Sequence, residues 1–241
     1  IIAVATRKAF RGRGFMGALL RTALEDMYQA KIPFTFLMPA AEAIYTPYDF
    51  RFIYDQCIGS LKQCCTQEEQ RGDACDFSDA ALWNAEEIAD FFNAHFSEKW
   101  QVYAVRDAAY YQTMILEQSS EHGGVRLIRE GGEIKGVYAY ATEEGLEIRE
   151  PLYLEGYEDA FFRSVRQLAA NGQSRIKDED IKIYACPEYM SCKRKPIIMA
   201  RIVCLPELMR TMTVPENLSV DCSFAVIDPL IRQNSRVWRV T

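Results

Sequence analysis

The chain has 241 residues, 49% of them hydrophobic and 26% charged, the composition of an ordinary globular protein long enough for one or two domains. That composition excludes a disordered chain and a disulfide-dense scaffold, and a formal net charge of −6 argues against an extended surface for nucleic-acid phosphate. No apolar run reaches the ~18 residues of a membrane span, so the reading is a soluble, cytoplasmic protein with no membrane or nucleic-acid partner.

In chain order, Ile1 to Thr6 reads as a short strand and Arg7 to Gly14 as a basic, glycine-punctuated loop. Met16, Leu19, Leu20, Ala23, Leu24 and Met27 recur at helical spacing, which predicts a helix from Phe15 to Ala30. A second strand follows from Phe34 to Met38, bounded by Pro33 and Pro39, and then a helix within Ala40 to Phe50. This order implies a parallel strand pair with a right-handed crossover. Cys57 to Asp76 is polar and reads as a linker.

A second unit runs from about Phe77 to Pro187. Ala80 to Phe96 is its first helix, with Ser78 or Asp79 available as N-cap. Val125 to Ile128, Ile134 to Tyr140 and Leu146 to Ile148 read as strands, joined by Gly131-Gly132 and the Glu143-Glu144-Gly145 stretch. Tyr157 to Ala170 is an amphipathic helix stopped at Asn171-Gly172, and Ile181 to Cys186 a further strand. Beyond Pro196 the pattern changes: Ile197 to Val203 predicts a strand, Leu205 to Met212 a short helix and Leu218 to Ile227 another strand. The opening strand has no lead-in, and Arg236 to Thr241 reads as an unfinished strand. Both ends suggest a piece of a longer polypeptide.

The eight cysteines (Cys57, Cys64, Cys65, Cys75, Cys186, Cys192, Cys204 and Cys222) contain no CxxC pair, and His95 and His122 stand far from most of them. No metal site is expected, and free thiols in a reducing compartment fit better than bridges.

The chemistry concentrates in residues 4–20. A strand delivers Arg7, Lys8, Arg11 and Arg13, with Gly12 and Gly14, onto the start of an amphipathic helix. The first N–H groups of a helix lack intrahelical acceptors, and its dipole is positive there. Glycines let backbone approach a ligand closely, so the segment predicts a pyrophosphate site. No GKS or GKT follows, which excludes a Walker A loop. Residues 12–17 formally meet GxGxxG, but the arginine-rich lead-in is unusual for dinucleotides and no acidic residue follows the next strand where it should. A plain basic loop before a core helix is the other reading.

Arg11-Gly12-Arg13-Gly14-Phe15-Met16 resembles motif A of the GNAT acetyltransferases, Arg/Gln-x-x-Gly-x-Gly/Ala, with Met16 where Gly or Ala is usual. Downstream, Ile44-Tyr45-Thr46-Pro47-Tyr48-Asp49-Phe50 resembles the family's tyrosine followed by an aromatic–Gly–Phe turn, with Asp49 for the glycine. Residues 77–187 lack a second RxxGxG, and Ile198 to Leu208 resembles the entry to a sterol-carrier-like unit; together these look most like the Eis subgroup. The resemblance implies an α/β fold with mixed sheets: a partial GNAT fold, then a second GNAT-like domain, then the start of a sterol-carrier-like domain. The divisions it implies are 1–60 for the C-terminal half of the acetyl-CoA-binding domain, 61–76 for a linker, 77–190 for a second domain without motif A, and 191–241 for the third.

By the same resemblance the cosubstrate is acetyl-CoA, with no metal. Its binding residues are Val4, Ala5, Thr6, Arg11, Gly12, Arg13, Gly14, Phe15 and Met16. A small-molecule or peptide amine attacks the thioester directly in a ternary complex, and a homo-oligomer is possible. A backbone N–H from Val4 to Thr6 would face the oxyanion, and Tyr45 would protonate the leaving thiolate, with Tyr48 as runner-up. The general base is not visible: the subgroup uses its own C-terminal carboxylate, which Thr241 is not expected to be. Glu42, Asp49, His95 and His122 read as solvated or structural. The resemblance implies that strands upstream of residue 1 are missing, so the chain by itself is expected to have little or no activity. The alternative is a non-catalytic acyl-CoA or lipid-binding module.

Overall fold

A computed structural model describes residues 1, 4–64, 74–100, 102–143, 145–171, 176–185 and 192–241. Its elements begin with α1 (Phe15–Gln29), β1 (Phe34–Leu37), α2 (Glu42–Tyr45), β2 (Arg51–Ser60) and α3 (Leu61–Cys64). Then come β3 (Cys75–Asp79), α4 (Ala85–His95), α5 (Ala108–Ser120), β4 (Gly124–Glu130), β5 (Glu133–Ala141), β6 (Glu147–Tyr153), α6 (Glu158–Asn171) and β7 (Lys182–Tyr184). The chain closes with β8 (Lys193–Ile202), α7 (Leu205–Thr211), β9 (Cys222–Ala225) and β10 (Val237–Val240). They form two compact units, Ile1–Asp55 with Pro196–Thr241, and Gln56–Lys195.

In the first unit, α1 forms where its periodicity predicts it, burying Gly17, Leu20 and Leu24 on one face. Burying one leucine contributes about 1.5–3 kcal/mol. The helix ends in a Schellman pattern: Lys31 takes φ 58°, its N–H donates to Tyr28 and that of Ile32 to Met27. Pro33 then bars continuation. β1 pairs antiparallel with β8, from Phe34 opposite Ile202 to Leu37 opposite Met199.

Among the described residues of Ile1 to Thr6 no parallel partner for β1 is seen. Val4, Ala5 and Thr6 lie outside any strand, and Ile2 and Ala3 fall outside the described residues. Val4 and Ala5 are exposed, so no buried face fixes a register for them. Of the described residues of this run, Ile1 is tied in: its amino group donates to the Phe36 carbonyl at 2.8 Å, and its side chain packs on the core that holds Leu37.

One core of this unit joins Leu20, Leu37, Tyr45 and Phe50 to Met199, and another joins Leu24 to Val203 and Ile231. The residues after Pro196 thus share a core with α1, where the sequence suggested a separate third unit. β9 and β10 form an antiparallel pair of their own.

In the second unit the strand order is β2–β7–β6–β5–β4–β3, with Ile58–Ser60 of β2 paired to β7. Among the described residues β6 and β7 run parallel, and β2–β7, β3–β4, β4–β5 and β5–β6 pair antiparallel. Alternation along β5 sends Val137 and Ala139 toward α4 and α5, and Tyr138 toward α6. The helices so cover both faces, and the fold is mixed α/β.

Two sequence readings change here. Cys57 to Asp76 is not all linker, because β2, α3 and β3 occupy its described ends, with Cys57 and Leu61 buried. Ser78 and Asp79 lie in β3 and cap nothing; Asn84 precedes α4, and the Asp79 carboxylate takes Arg126 at 3.2 Å instead. No helix among the described residues is long and apolar enough to cross a membrane.

Candidate functional site

The loop before α1 is built from conformations that few residues tolerate. Lys8–Phe10 makes a 3-10 turn, and Gly12 and Gly14 then take φ 75° and 80°. That left-handed region is sterically closed to most side chains. The space beside both glycines is empty to 4 Å, so the backbone is open to a ligand. Gly14 is the N-cap of α1, no side chain caps the helix, and its first turn has no acidic residue.

The N–H groups of Phe15 and Met16 consequently have no backbone acceptor among the described residues, with the helix dipole behind them; Ala18 makes the first intrahelical bond, to Gly14, at 3.0 Å. Around them Arg7, Lys8, Arg11 and Arg13 are exposed. None forms an ion pair among the described residues, since Arg11 Nε donates to the Thr6 carbonyl at 3.1 Å and Arg13 lies 5.3 Å over the Phe10 ring. A cationic loop over N–H donors without acceptors can hold an anion, and two left-handed glycines let its backbone approach one closely.

The remaining sequence-predicted residues divide. Phe15 is half exposed and stands 6.4 Å from Phe10, an aromatic flank to the loop. Met16 is half-buried and packs on the Leu20–Met199 core, which is why a large side chain is accommodated there. Within the described residues the N–H groups of Val4, Ala5 and Thr6 donate to no backbone carbonyl.

Tyr45 is buried in that same core, edge-on to Phe50 at 6.0 Å between ring centres. Tyr48 reaches further. Its hydroxyl lies 2.3 Å from where a β-carbon at Gly17 would stand, so only glycine leaves it room against α1. Arg21 covers the Tyr48 ring at 5.7 Å. Of the two hydroxyls, that of Tyr48 is brought to the first turns of α1. Asp49 takes φ 58°, the conformation for which glycine is the easy choice and which aspartate tolerates.

A charged network holds this turn in place, and no spacing in the sequence announces it. Arg201, on β8, has a side chain only 3% exposed; it donates to the Tyr48 carbonyl at 2.6 Å and to Asp228 at 2.5 Å, and lies 3.5 Å from Asp49. Asp228 also accepts from the Leu230 and Ile231 N–H groups and from Asn234 Nδ2. Burial would push its carboxyl upward, but those hydrogen bonds and the Arg201 charge outweigh it and hold the carboxyl below the usual range.

Glu42 sits exposed in the first turn of α2. His95 closes α4 with its ring 5.3 Å from Phe91, and the carbonyl of His122 accepts from Thr142. None of the three joins the loop.

Residues 1–53 match the family model described as an acetyltransferase (GNAT) domain. No curated protein matches the sequence. Solved structures share the fold at low identity. A GCN5-related N-acetyltransferase from Anabaena variabilis superposes with a TM-score of 0.72 at 16% identity, over 98% of this chain and 63% of that one. A conserved protein of unknown function from Enterococcus faecalis V583, described as a probable N-acyltransferase, gives 0.74 at 17%, over 98% and 62%. Eis1 from Mycobacterium abscessus gives 0.66 at 11%, over 99% and 64%. The chain thus spans a little over three fifths of the length of each.

Proposed function

We propose that this chain carries the coenzyme A-binding part of an N-acetyltransferase of the Eis-like kind, moving an acetyl group from acetyl-CoA to an amine in a ternary complex. The observation that carries the reading is the left-handed Gly12–Gly14 loop over the uncapped start of α1, within the stretch that matches the acetyltransferase domain. When bound, acetyl-CoA supplies a thioester as acyl donor. The chain's part is to hold and to protonate. The N–H groups between Arg11 and Met16 hold the pyrophosphate, with Arg7, Lys8, Arg11 and Arg13 compensating its charge. The free N–H groups of Val4 to Thr6 are candidates to face the acyl oxygen as negative charge develops on it.

A leaving thiolate needs a proton, and a tyrosine hydroxyl is a suitable donor. Tyr45, favoured by the resemblance, lies in the core, whereas the Tyr48 hydroxyl lies against α1. The geometry favours Tyr48.

The test is a thiol-release assay of the full-length protein over a panel of amines, with acetyl-CoA affinity measured in parallel. Tyr48→Phe is expected to lower kcat by about 10²–10⁴-fold with affinity unchanged, and Tyr45→Phe to change kcat little. The opposite result returns the role to Tyr45. Saturable binding with no turnover on any amine would make the protein an acyl-CoA-binding module, and no binding at all would sink the proposal.

A further inference from the structure

A pocket of about 520 Å³ opens in the second unit, lined by α5 and by the β5–β6 pair. β6 is irregular where it lines the pocket. The β5–β6 register shifts between Val137 and Ala139, and opposite that shift Glu150 takes φ 49° ahead of Pro151, which has no N–H to give to the ladder. A bulge of this kind re-aims side chains and recurs beside functional sites. Here Arg149 and Glu150 both line the pocket.

The charges around the pocket do not cancel. Asp107, Glu117 and Glu150 line it against the single guanidinium of Arg149. Arg149 is already committed, to Glu121 at 2.6 Å and to Glu147 at 3.1 Å. Arg106, behind the wall, is paired with Glu150 at 2.7 Å. The Asp107 carboxylate caps α5 through the Tyr110 N–H, and the exposed Glu117 carboxylate has no partner among the described residues. The Tyr110 hydroxyl registers the resulting field: burial first, and then the charge of Glu150, push its pKa up to about 12.

Two further features point to a ligand. Gln118 lines the pocket and is 7% exposed; its Oε1 accepts from Arg149 at 3.2 Å, while its Nε2 donates to nothing among the described residues. Tyr110 and Met114 provide an aromatic and a thioether wall.

We propose that this pocket binds a small primary amine in its ammonium form, the cation beside Glu117 and Glu150, the apolar body on Tyr110 and Met114, and an acceptor oxygen opposite Gln118 Nε2. The inference stands apart from acyl transfer, because its readout is binding in the second unit; either reading can fail without the other.

The experiment titrates the whole chain with three probes that share a shape and differ in charge: 4-methoxybenzylamine, 4-methoxybenzyl alcohol and 4-methoxybenzoate, followed by ligand-observed NMR. The amine is expected to bind saturably, and the alcohol and the carboxylate at least about tenfold more weakly, as befits a charge-assisted contact. Glu117→Gln, at an exposed position that should not disturb folding, is expected to cost the amine about tenfold and the alcohol nothing. Met114→Ala should weaken amine and alcohol alike. Equal binding of the three probes, an unchanged amine affinity in Glu117→Gln, or no saturable amine binding to the unaltered chain would each overturn the proposal.

Discussion

Replacing Asp228 with alanine will destabilise the first unit by about 3–5 kcal/mol, the usual cost of removing one partner of a buried ion pair. The size follows from what is left behind. Arg201 keeps its charge with a side chain 3% exposed, and the N–H groups of Leu230 and Ile231 lose their acceptor in the same step. Asp228→Asn keeps an acceptor oxygen and removes the charge, so it should cost less. Denaturant unfolding at neutral pH, read from a probe in the first unit, measures both. A loss below about 1 kcal/mol for alanine would show that Arg201 finds another partner.

The same contact fixes a pH dependence. The folded-state pKa of Asp228 lies below its unfolded value. Its stabilisation is therefore complete above the unfolded value, near 4, and is lost as pH falls through the folded one. The unaltered chain should weaken more steeply on acidification below pH ~4 than Asp228→Asn does.

Valine at position 14 will weaken coenzyme A binding to the full-length protein by about ten- to a hundredfold. The cause is backbone strain, not collision, since nothing lies within 4 Å of a β-carbon built there. Holding a non-glycine residue in the left-handed region costs about 1–3 kcal/mol, and a β-branched one stands at the upper end. The chain escapes by turning φ negative, which re-aims the Phe15 and Met16 N–H groups away from the anion. Each 1.4 kcal/mol spent restoring them is tenfold in affinity. Asparagine, which tolerates that conformation, should retain most of the binding. Isothermal titration of the three forms decides the matter: equal affinity for glycine and valine would remove the loop from the site.

These two residues differ in how visible they were. Gly14 was legible because everything that gives it a role lies within a few positions: a basic run, a second glycine and the apolar periodicity of α1. Asp228 and Arg201 carried no such mark, because the partners they serve, Tyr48 and Asp49, lie far away in sequence. The helices show the same division. In α1 the buried stripe is apolar, and in α6 it is apolar but for Ser164, so the period can be read. In α5 the buried positions are Tyr111, Ile115 and Gln118, while Leu116 is 58% exposed, so a polar residue stands inside and a leucine outside. Periodicity missed that helix, and with it the pocket it lines. The last residues of β2 fall in the segment from Cys57 that reads as linker, because that segment is polar as a whole and along β2 only Cys57 and Gly59 are buried. Strand–helix–strand order suggests a parallel neighbour for β1 and gives no sign of the antiparallel partner it takes, which comes from β8.

That pairing has a consequence for the order in which the molecule assembles. The bond from Arg201 to Tyr48 closes a loop of 153 residues, so the first unit cannot complete itself until nearly the whole chain is available. Closing so long a loop from an open coil carries a large entropic cost and slows folding. The intervening segment offers a remedy, because β2 and β7 pair Ile58 with Tyr184 and Ser60 with Lys182. Once those strands are zipped, Ile58 and Tyr184 stand one strand spacing apart, and the loop left to close between the two halves of the first unit is much shorter. The second unit then acts as a clasp that must shut first. Pulse-labelled hydrogen exchange should accordingly find β4 and β5 protected before β1, and the reverse order would mean that the first unit collapses without waiting for it.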